Sequence, residues 1–167
     1  SGAGGSIFAT GTVHIDNCKF IDNTVTKANG GAVSLTGFGS TITNSYFEGN
    51  KAIRVEAPKE NGAAGAVFLN ASNISISHSK FVENEAGLNG GAVGSSAMRI
   101  QNCTITNCTF NKNSANGSAG AIGMQSSNFH IYDSTFKDNE AKGTYGIESQ
   151  YPGNGGALVM RGWDSYA

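Results

Sequence analysis

The stretch Phe81-Val82-Glu83-Asn84, followed shortly by Asn89-Gly90-Gly91-Ala92-Val93, decides how this chain folds. Both elements return in the same order along the 167 residues. Phe-x-x-Asn recurs at Phe20/Asn23, Phe47/Asn50, Phe81/Asn84, Phe110/Asn113 and Phe136/Asn139. The second element is rich in glycine and alanine, ends in an aliphatic residue, and begins at Gly4, Gly30, Ala64, Gly90, Ala119 and Gly155. Such repeats predict a solenoid, because each repeat can hide its apolar side only against its neighbours.

The spacing separates a fixed part of each repeat from a variable part. The distance from the first residue of the glycine element to the next Phe is 16 to 20 residues, whereas the distance from Phe to the next glycine element is 9 to 19. A nearly fixed length indicates stacked strands, and a variable length indicates surface loops. We therefore interpret residues 1–167 as one segment with two insertion loops, at 51–63 and 140–154.

Alternating apolar residues predict that each repeat contains three short strands. In the glycine element Val33 and Leu35 are two residues apart, which is the period of a strand with one buried face. An isoleucine stands five residues before the Phe of each Phe-x-x-Asn, at Ile15, Ile42, Ile76, Ile105 and Ile131. Helix signals are missing. The predicted fold is all-β, a parallel β-helix of about five to six rungs with three short strands per rung.

The repeated residues are expected to form ladders inside this solenoid. Stacking would place Phe on Phe and Ile on Ile about 4.8 Å apart. The five asparagines would form an inward ladder whose amides bond the backbone above and below. The second glycine of each element fits a corner that needs positive φ or close backbone approach.

These paired elements resemble the repeats of the chlamydial polymorphic outer membrane proteins, which also occur in adhesin-like surface proteins of other microbes. The resemblance runs from Gly4 to Leu158. It implies a right-handed β-helix displayed outside the cell, often as the passenger of an autotransporter, with adhesion as the usual role. The partner would be a protein or glycan of a host or neighbouring cell.

Composition narrows the classes of partner that the chain could bind. With a net charge of −1 and 14% charged residues, the chain gives no electrostatic reason to expect nucleic acid or an anionic membrane as partner. No apolar run reaches the roughly 18 residues of a membrane-spanning helix. The chain begins and ends inside a repeat, so we interpret it as part of a longer protein. Cys18 and Cys108 share a column of small residues, and a disulfide between Cys103 and Cys108 stays open.

No residue pattern points to a catalytic centre, a metal or a cofactor. β-Helices include polysaccharide-cleaving enzymes, so an enzyme remains an alternative, but the carboxylates cluster beside the Phe-x-x-Asn corner, where surface solvation explains them. His14, His78 and His130 show no zinc spacing. A short hydroxyl array could form an ice-binding or O-glycosylated face, although the β-propensity of Thr explains it equally well. Its members are Thr41, Thr43, Ser75, Ser77, Thr104 and Thr106.

The two insertion loops carry the residues that differ most between repeats. Both loops are expected to leave the same edge of the solenoid and to frame one recognition patch. The candidate anchors are Arg54, Lys59, Tyr145 and Tyr151. Tolerated insertions without a role are the alternative. A further alternative is a structural subunit that stacks end to end into a filament, because open strand edges template pairing.

Overall fold

A computed structural model shows the chain as an all-β solenoid. The structure describes residues 4–55, 62–95, 100–144 and 155–161, and no helix occurs among them. All the strand pairs are parallel, and each strand pairs with its equivalent in the neighbouring repeat. The predicted parallel β-helix is therefore confirmed.

The strands follow one another in the same order in each repeat. The first repeat holds β1 (Ile7–Ala9), β2 (His14–Asp16), β3 (Lys19–Ile21) and β4 (Thr24–Thr26). The second holds β5 (Val33–Leu35), β6 (Thr41–Thr43), β7 (Tyr46–Glu48) and β8 (Lys51–Ile53). The third holds β9 (Val67–Leu69), β10 (Ser75–Ser77), β11 (Lys80–Val82) and β12 (Glu85–Ala86). The fourth holds β13 (Val93–Gly94), β14 (Ile100–Thr106), β15 (Thr109–Asn111) and β16 (Ser114–Ala115). The rest are β17 (Ile122–Tyr132), β18 (Thr135–Lys137), β19 (Glu140–Ala141) and β20 (Leu158–Arg161).

These strands lie in three parallel sheets. The strands that begin with the glycine element and those that carry the Ile column share one sheet, because β17 runs through both. The Phe strands form the second sheet, in the order β18-β15-β11-β7-β3. The strands of the third sheet, β19-β16-β12-β8-β4, follow the Asn corner, and the sequence did not predict a strand there. Its strands are two or three residues long, which is too short for alternation to show in the sequence.

The interior is built from stacked identical side chains. Neighbouring Phe rings lie 4.8 to 5.0 Å apart and within 8° of parallel from Phe20 to Phe136. Phe47, Phe81 and Phe110 are fully buried, whereas Phe136, in the last described level of this column, is half-buried. Stacking in one column gives each inner ring a neighbour on both faces, which is how such short strands share one core.

The asparagine ladder satisfies the backbone at the corner. Both the backbone N–H and the side-chain Nδ2 of Asn50 donate to Oδ1 of Asn84, over 3.1 and 2.9 Å. Nδ2 of Asn84 in turn donates to the carbonyl of Phe47 over 3.0 Å. The same pattern links Asn84 to Asn113 and Asn113 to Asn139. These hydrogen bonds satisfy buried polar groups, which would destabilise the fold if they were left without partners.

Asn23 takes part in the same ladder, but it is half-buried and does not make the full set of bonds. Its N–H and Nδ2 donate to Oδ1 of Asn50, over 3.1 and 2.8 Å, as at the inner levels. Its own Oδ1, however, accepts from the hydroxyl of Ser6 instead of from an asparagine, since Asn23 belongs to the first Phe-x-x-Asn of the sequence. At the last described level of the columns, Asn139 and Ile131 are likewise half-buried.

The two residues that open each glycine element have different tasks. The first has positive φ, for example 71° at Gly90 and 60° at Ala64. The second does not, but a Cβ on Gly91 would lie 2.0 Å from the carbonyl oxygen of Gly120 in the next repeat. Of the two reasons expected for the second glycine, close backbone approach is the one that applies.

The corner that opens each glycine element also covers the outward-facing side chains of the strands that begin there, such as β5 and β9. Ser34 and Phe68 point away from the main core, yet they are 0% and 6% exposed. Phe68 packs with Ala63 and Ala64 in a small second cluster, and a Cβ on Gly94 would lie 3.3 Å from that of Ala64. The outer faces of the Ile strands and of the third sheet therefore carry much of the polar surface.

Candidate recognition cleft

Of the four candidate anchors, the structure describes one. Arg54 is half-buried and directly follows β8, at the start of the first insertion loop. Lys59, Tyr145 and Tyr151 lie outside the described residues. The geometry of the candidate site therefore rests on the bases of the two loops, residues 51–55 and 140–144, which the structure does describe.

The bases of both loops meet on the outer face of the third sheet. Lys51 in β8 is in register with Glu85 in β12, and its Nζ lies 3.5 Å from Oε2 of Glu85. Nζ of Lys142, which directly follows β19, lies 3.6 Å from Oε1 of the same carboxylate. One carboxylate from the third repeat thus joins cations from the second and fifth.

A cleft of about 260 Å³ opens beside this ion-pair group. Its lining residues are Lys51, Ala52, Ile53, Arg54, Glu85, Gly87 and Asn116. Ile53 is 44% exposed and gives the cleft an apolar wall. The cleft thus combines cations, a carboxylate, an amide and an aliphatic side chain, which is a set that can orient a small polar ligand.

Backbone contacts hold the floor of the cleft in place. A Cβ on Gly87 would lie 2.6 Å from the backbone nitrogen of Arg54, so only glycine lets the loop base lie this close. Gly87 donates its N–H to the carbonyl of Ala52, and Leu88 donates to that of Gly62. On the far side, the backbone N–H of Thr144 donates to the carbonyl of Asn116 over 2.8 Å.

The hydroxyl array lies on the outer face of the Ile strands. Thr41, Ser75 and Thr104 are in register on successive levels, and so are Thr43, Ser77 and Thr106. At one end Asp16 accepts hydrogen bonds from the side chains of Thr43 and Asn44, which lower the pKa of its carboxyl. At the other end His130 stacks on Tyr132, so rows of hydroxyl groups occupy only the middle levels of this face.

The candidate residues for other chemistry are dispersed. No group of three His, Cys, Asp or Glu suited to a metal ion occurs within the described ranges. Glu83 pairs with Lys112 on the surface, and Glu85 is the only carboxylate among the described residues that line the cleft. Cys18, Cys103 and Cys108 are free thiols, and burial raises the pKa of the latter two.

Comparison with known proteins agrees with this geometry. The family description "Right handed beta helix region" matches residues 3–161. The chain belongs to the right-handed β-helix family. Neither the curated proteins nor the solved structures gave a match. Within the described residues, this right-handed β-helix has no helix long and apolar enough to cross a membrane.

Sequence reasoning did not single out Glu85, Asn116 or Lys142 of this right-handed β-helix. A signal for the first was present, because Lys51 and Glu85 each directly follow a ladder asparagine and therefore occupy the same column. Lys142 gives no such signal, since its side chain reaches Glu85 across the intervening level of β16.

Proposed function

We propose that this chain is a non-enzymatic segment of an extracellular or cell-surface protein, in which the β-helix is a rigid stalk and the two insertion loops form an adhesive patch. The observation that carries the proposal is the meeting of both loop bases at Glu85, beside one cleft. Loops that were merely tolerated would have no reason to share an ion-pair group. The resemblance to polymorphic outer membrane proteins supports the same role.

The proposed lack of enzymatic activity follows from the chemistry of the cleft. Glycosidic cleavage generally uses two carboxyl groups that flank the scissile bond. Among the described residues, the lining of this cleft contributes one, Glu85, and two lysines lie within 3.6 Å of it. We expect no release of reducing ends or unsaturated products when the protein is incubated with pectin, alginate or glycosaminoglycans.

The repeat architecture supplies a direct test of the adhesive patch. The third repeat passes from Ala86 to Gly90 through Gly-Leu-Asn alone, whereas the second uses residues 53–63 and the fifth uses residues 142–154 between equivalent positions. Replacing either long stretch with Gly-Leu-Asn gives the loop-exchange variants, in which the second or fifth repeat receives the short connection of the third. Beads coated with wild-type protein are expected to adhere to cell layers, and beads coated with either variant are expected to lose most of that adhesion.

A matched exchange controls for the procedure. In the first repeat Thr26-Lys27-Ala28-Asn29 occupies the same connection outside the residues that line the cleft, and replacing it with Gly-Leu-Asn changes no insertion loop. This variant should largely retain adhesion, and circular dichroism should show the same β content in all four proteins. Equal adhesion by the wild-type chain and both loop-exchange variants would refute the adhesive patch. The double substitution Tyr145→Ala with Tyr151→Ala then tests the sequence-predicted anchors of the second loop.

A further inference from the structure

We infer that the recognition cleft binds a single acidic sugar residue of a glycan, whose carboxylate faces Lys51 and Lys142 and whose hydroxyl groups face Glu85 and Asn116. This inference rests on the proposed function, because it names the ligand class of the same patch. It follows from three properties of the described cleft residues, which are charge, hydrogen-bonding capacity and size.

The charge of the cleft favours an anion. Among the described residues, the cations Lys51 and Lys142 both lie within 3.6 Å of one carboxylate, Glu85, and Arg54 lines the same cleft. Glu140, the next acidic residue in the column of Lys51, lies two levels beyond Glu85. On a chain whose net charge is −1, this local excess of positive charge attracts a ligand carboxylate.

The hydrogen-bonding groups favour a ligand that also carries hydroxyls. Glu85 accepts hydrogen bonds and offers none when ionised, so a second carboxylate facing it would be repelled. A sugar acid can donate hydroxyl groups to Glu85 and present its own carboxylate to the lysines at the same time. An acidic peptide side chain brings only acceptors to this arrangement, so it fits the cleft less well.

The size and shape agree with one sugar ring. The cleft volume of about 260 Å³ lies just below the range of pockets that hold drug-sized ligands. The exposed side chain of Ile53 offers an apolar surface to the C–H face of a pyranose. The floor at Gly87 is held to Ala52 by a 2.8 Å backbone hydrogen bond, so the cleft is largely formed before the ligand arrives.

The binding test uses two sugars that differ in one group. Methyl β-D-glucuronide carries a carboxylate where methyl β-D-glucoside carries a hydroxymethyl group. Titration of the full chain by NMR or calorimetry is expected to show tighter binding of the glucuronide, or of the methyl glycoside of N-acetylneuraminic acid, than of the glucoside. The double substitution Lys51→Ala with Lys142→Ala should weaken acidic-sugar binding about tenfold or more, because charge-assisted hydrogen bonds are lost.

A third lysine provides the matched control. Lys112 pairs with Glu83 over 3.6 Å in a similarly exposed ion pair outside the cleft. Lys112→Ala removes a surface charge in the same way and should leave sugar affinity within about twofold, since exposed charges at a distance are screened by salt. Conversely, Glu85→Gln should increase the affinity for the acidic sugar, and Glu83→Gln should not.

Three results would overturn the inference. The first is equal affinity for the glucuronide, the sialoside and the glucoside. The second is binding of tetraglutamate or inorganic phosphate that is as tight as, or tighter than, binding of the acidic sugars. The third is a loss of sugar affinity in Lys112→Ala equal to that in the double substitution of Lys51 and Lys142. Failure of the proposed function looks different. If beads adhere equally with and without Lys51 and Lys142, the adhesive role is supported and the acidic sugar is refuted as the ligand. A chain that binds the glucuronide in solution but does not adhere keeps the binding site and loses the adhesive role.

Discussion

Neighbouring residues of one strand belong to two different regions of this molecule. In β8 and β12 the inward residues are Ala52 and Ala86, which are 1% and 0% exposed and identical in type. One position earlier, the outward residues are Lys51 and Glu85, which differ in sign and form an ion pair. The inside repeats because each level must fit the next, and the outside is free to differ. In a solenoid, function is therefore expected at the positions that break the repeat.

Removing a ring from the Phe column should have the largest effect on stability. Phe81→Ala empties a fully buried site between two rings that lie 4.8 Å away on each side. We expect a loss of about 3–5 kcal/mol in the free energy of unfolding, measured by urea denaturation. Phe38→Ala serves as the control, because Phe38 is 61% exposed and its loss should change stability by less than about 0.5 kcal/mol. Similar losses for both variants would contradict the stacked interior.

Adding one carbon at the glycine corner should be the next largest effect. In Gly91→Ala the new Cβ would meet the carbonyl oxygen of Gly120 at 2.0 Å, so two levels must move apart. The expected cost is about 1–3 kcal/mol or more, visible as a lower Tm. Gly11→Ala is the matched change, since no atom lies within 4 Å of a Cβ there. If both alanines were tolerated equally, close backbone approach would not explain the recurring glycine.

Removing one amide from the asparagine ladder should cost somewhat less. Asn84→Ala leaves the N–H and Nδ2 of Asn50 without their acceptor and the carbonyl of Phe47 without this donor. A buried group left unpaired costs about 1–3 kcal/mol, and we expect a loss of that order in urea denaturation. Asn70→Ala removes the amide of an exposed asparagine whose backbone lies outside the left-handed region, and its effect should be close to zero. Equal effects would mean that the buried ladder adds nothing beyond an exposed amide.

Removing the ion pairs of the cleft should have the smallest effect on stability. The paired side chains of Lys51, Lys142 and Glu85 are 36% to 51% exposed, and such pairs contribute about 0–1 kcal/mol. Lys51→Ala and Lys142→Ala should therefore unfold at nearly the wild-type urea concentration while binding of the acidic sugar is lost. A large destabilisation would assign these residues to the scaffold and remove the contrast between the two regions.

The interior could be predicted from the sequence because its residues recur. Phe81 and Asn84 each have counterparts in four other repeats, so alignment of the repeats alone places equivalent residues at the same height. The same alignment treats all five asparagines as equal, and so it missed the half-burial of Asn23 at the first level. The burial of Ser34 could not be predicted either, because its cover comes from a corner whose path depends on backbone angles. The third sheet was missed because β12 has only two residues, too few to show alternation.

The cleft was predicted only in outline. The expectation that both insertions leave one edge came from their equal position between the Asn corner and the glycine element. Which side chains would meet was not visible, because Lys142 and Glu85 come from levels that are not adjacent. Contacts that skip a level depend on how far a flexible side chain reaches, and a repeat alignment does not contain that distance.

The direction of the asparagine ladder has a consequence for how such a protein can change in evolution. The backbone N–H of each of the first four ladder asparagines donates to Oδ1 of the next one in the same sense, so successive coils share one hydrogen-bonding pattern. A gene segment that encodes one coil could be duplicated or deleted without disturbing the coils on either side. Each event would lengthen or shorten the protein by about 4.8 Å. The length of the solenoid can thus change in uniform steps during evolution, independently of what the loops recognise.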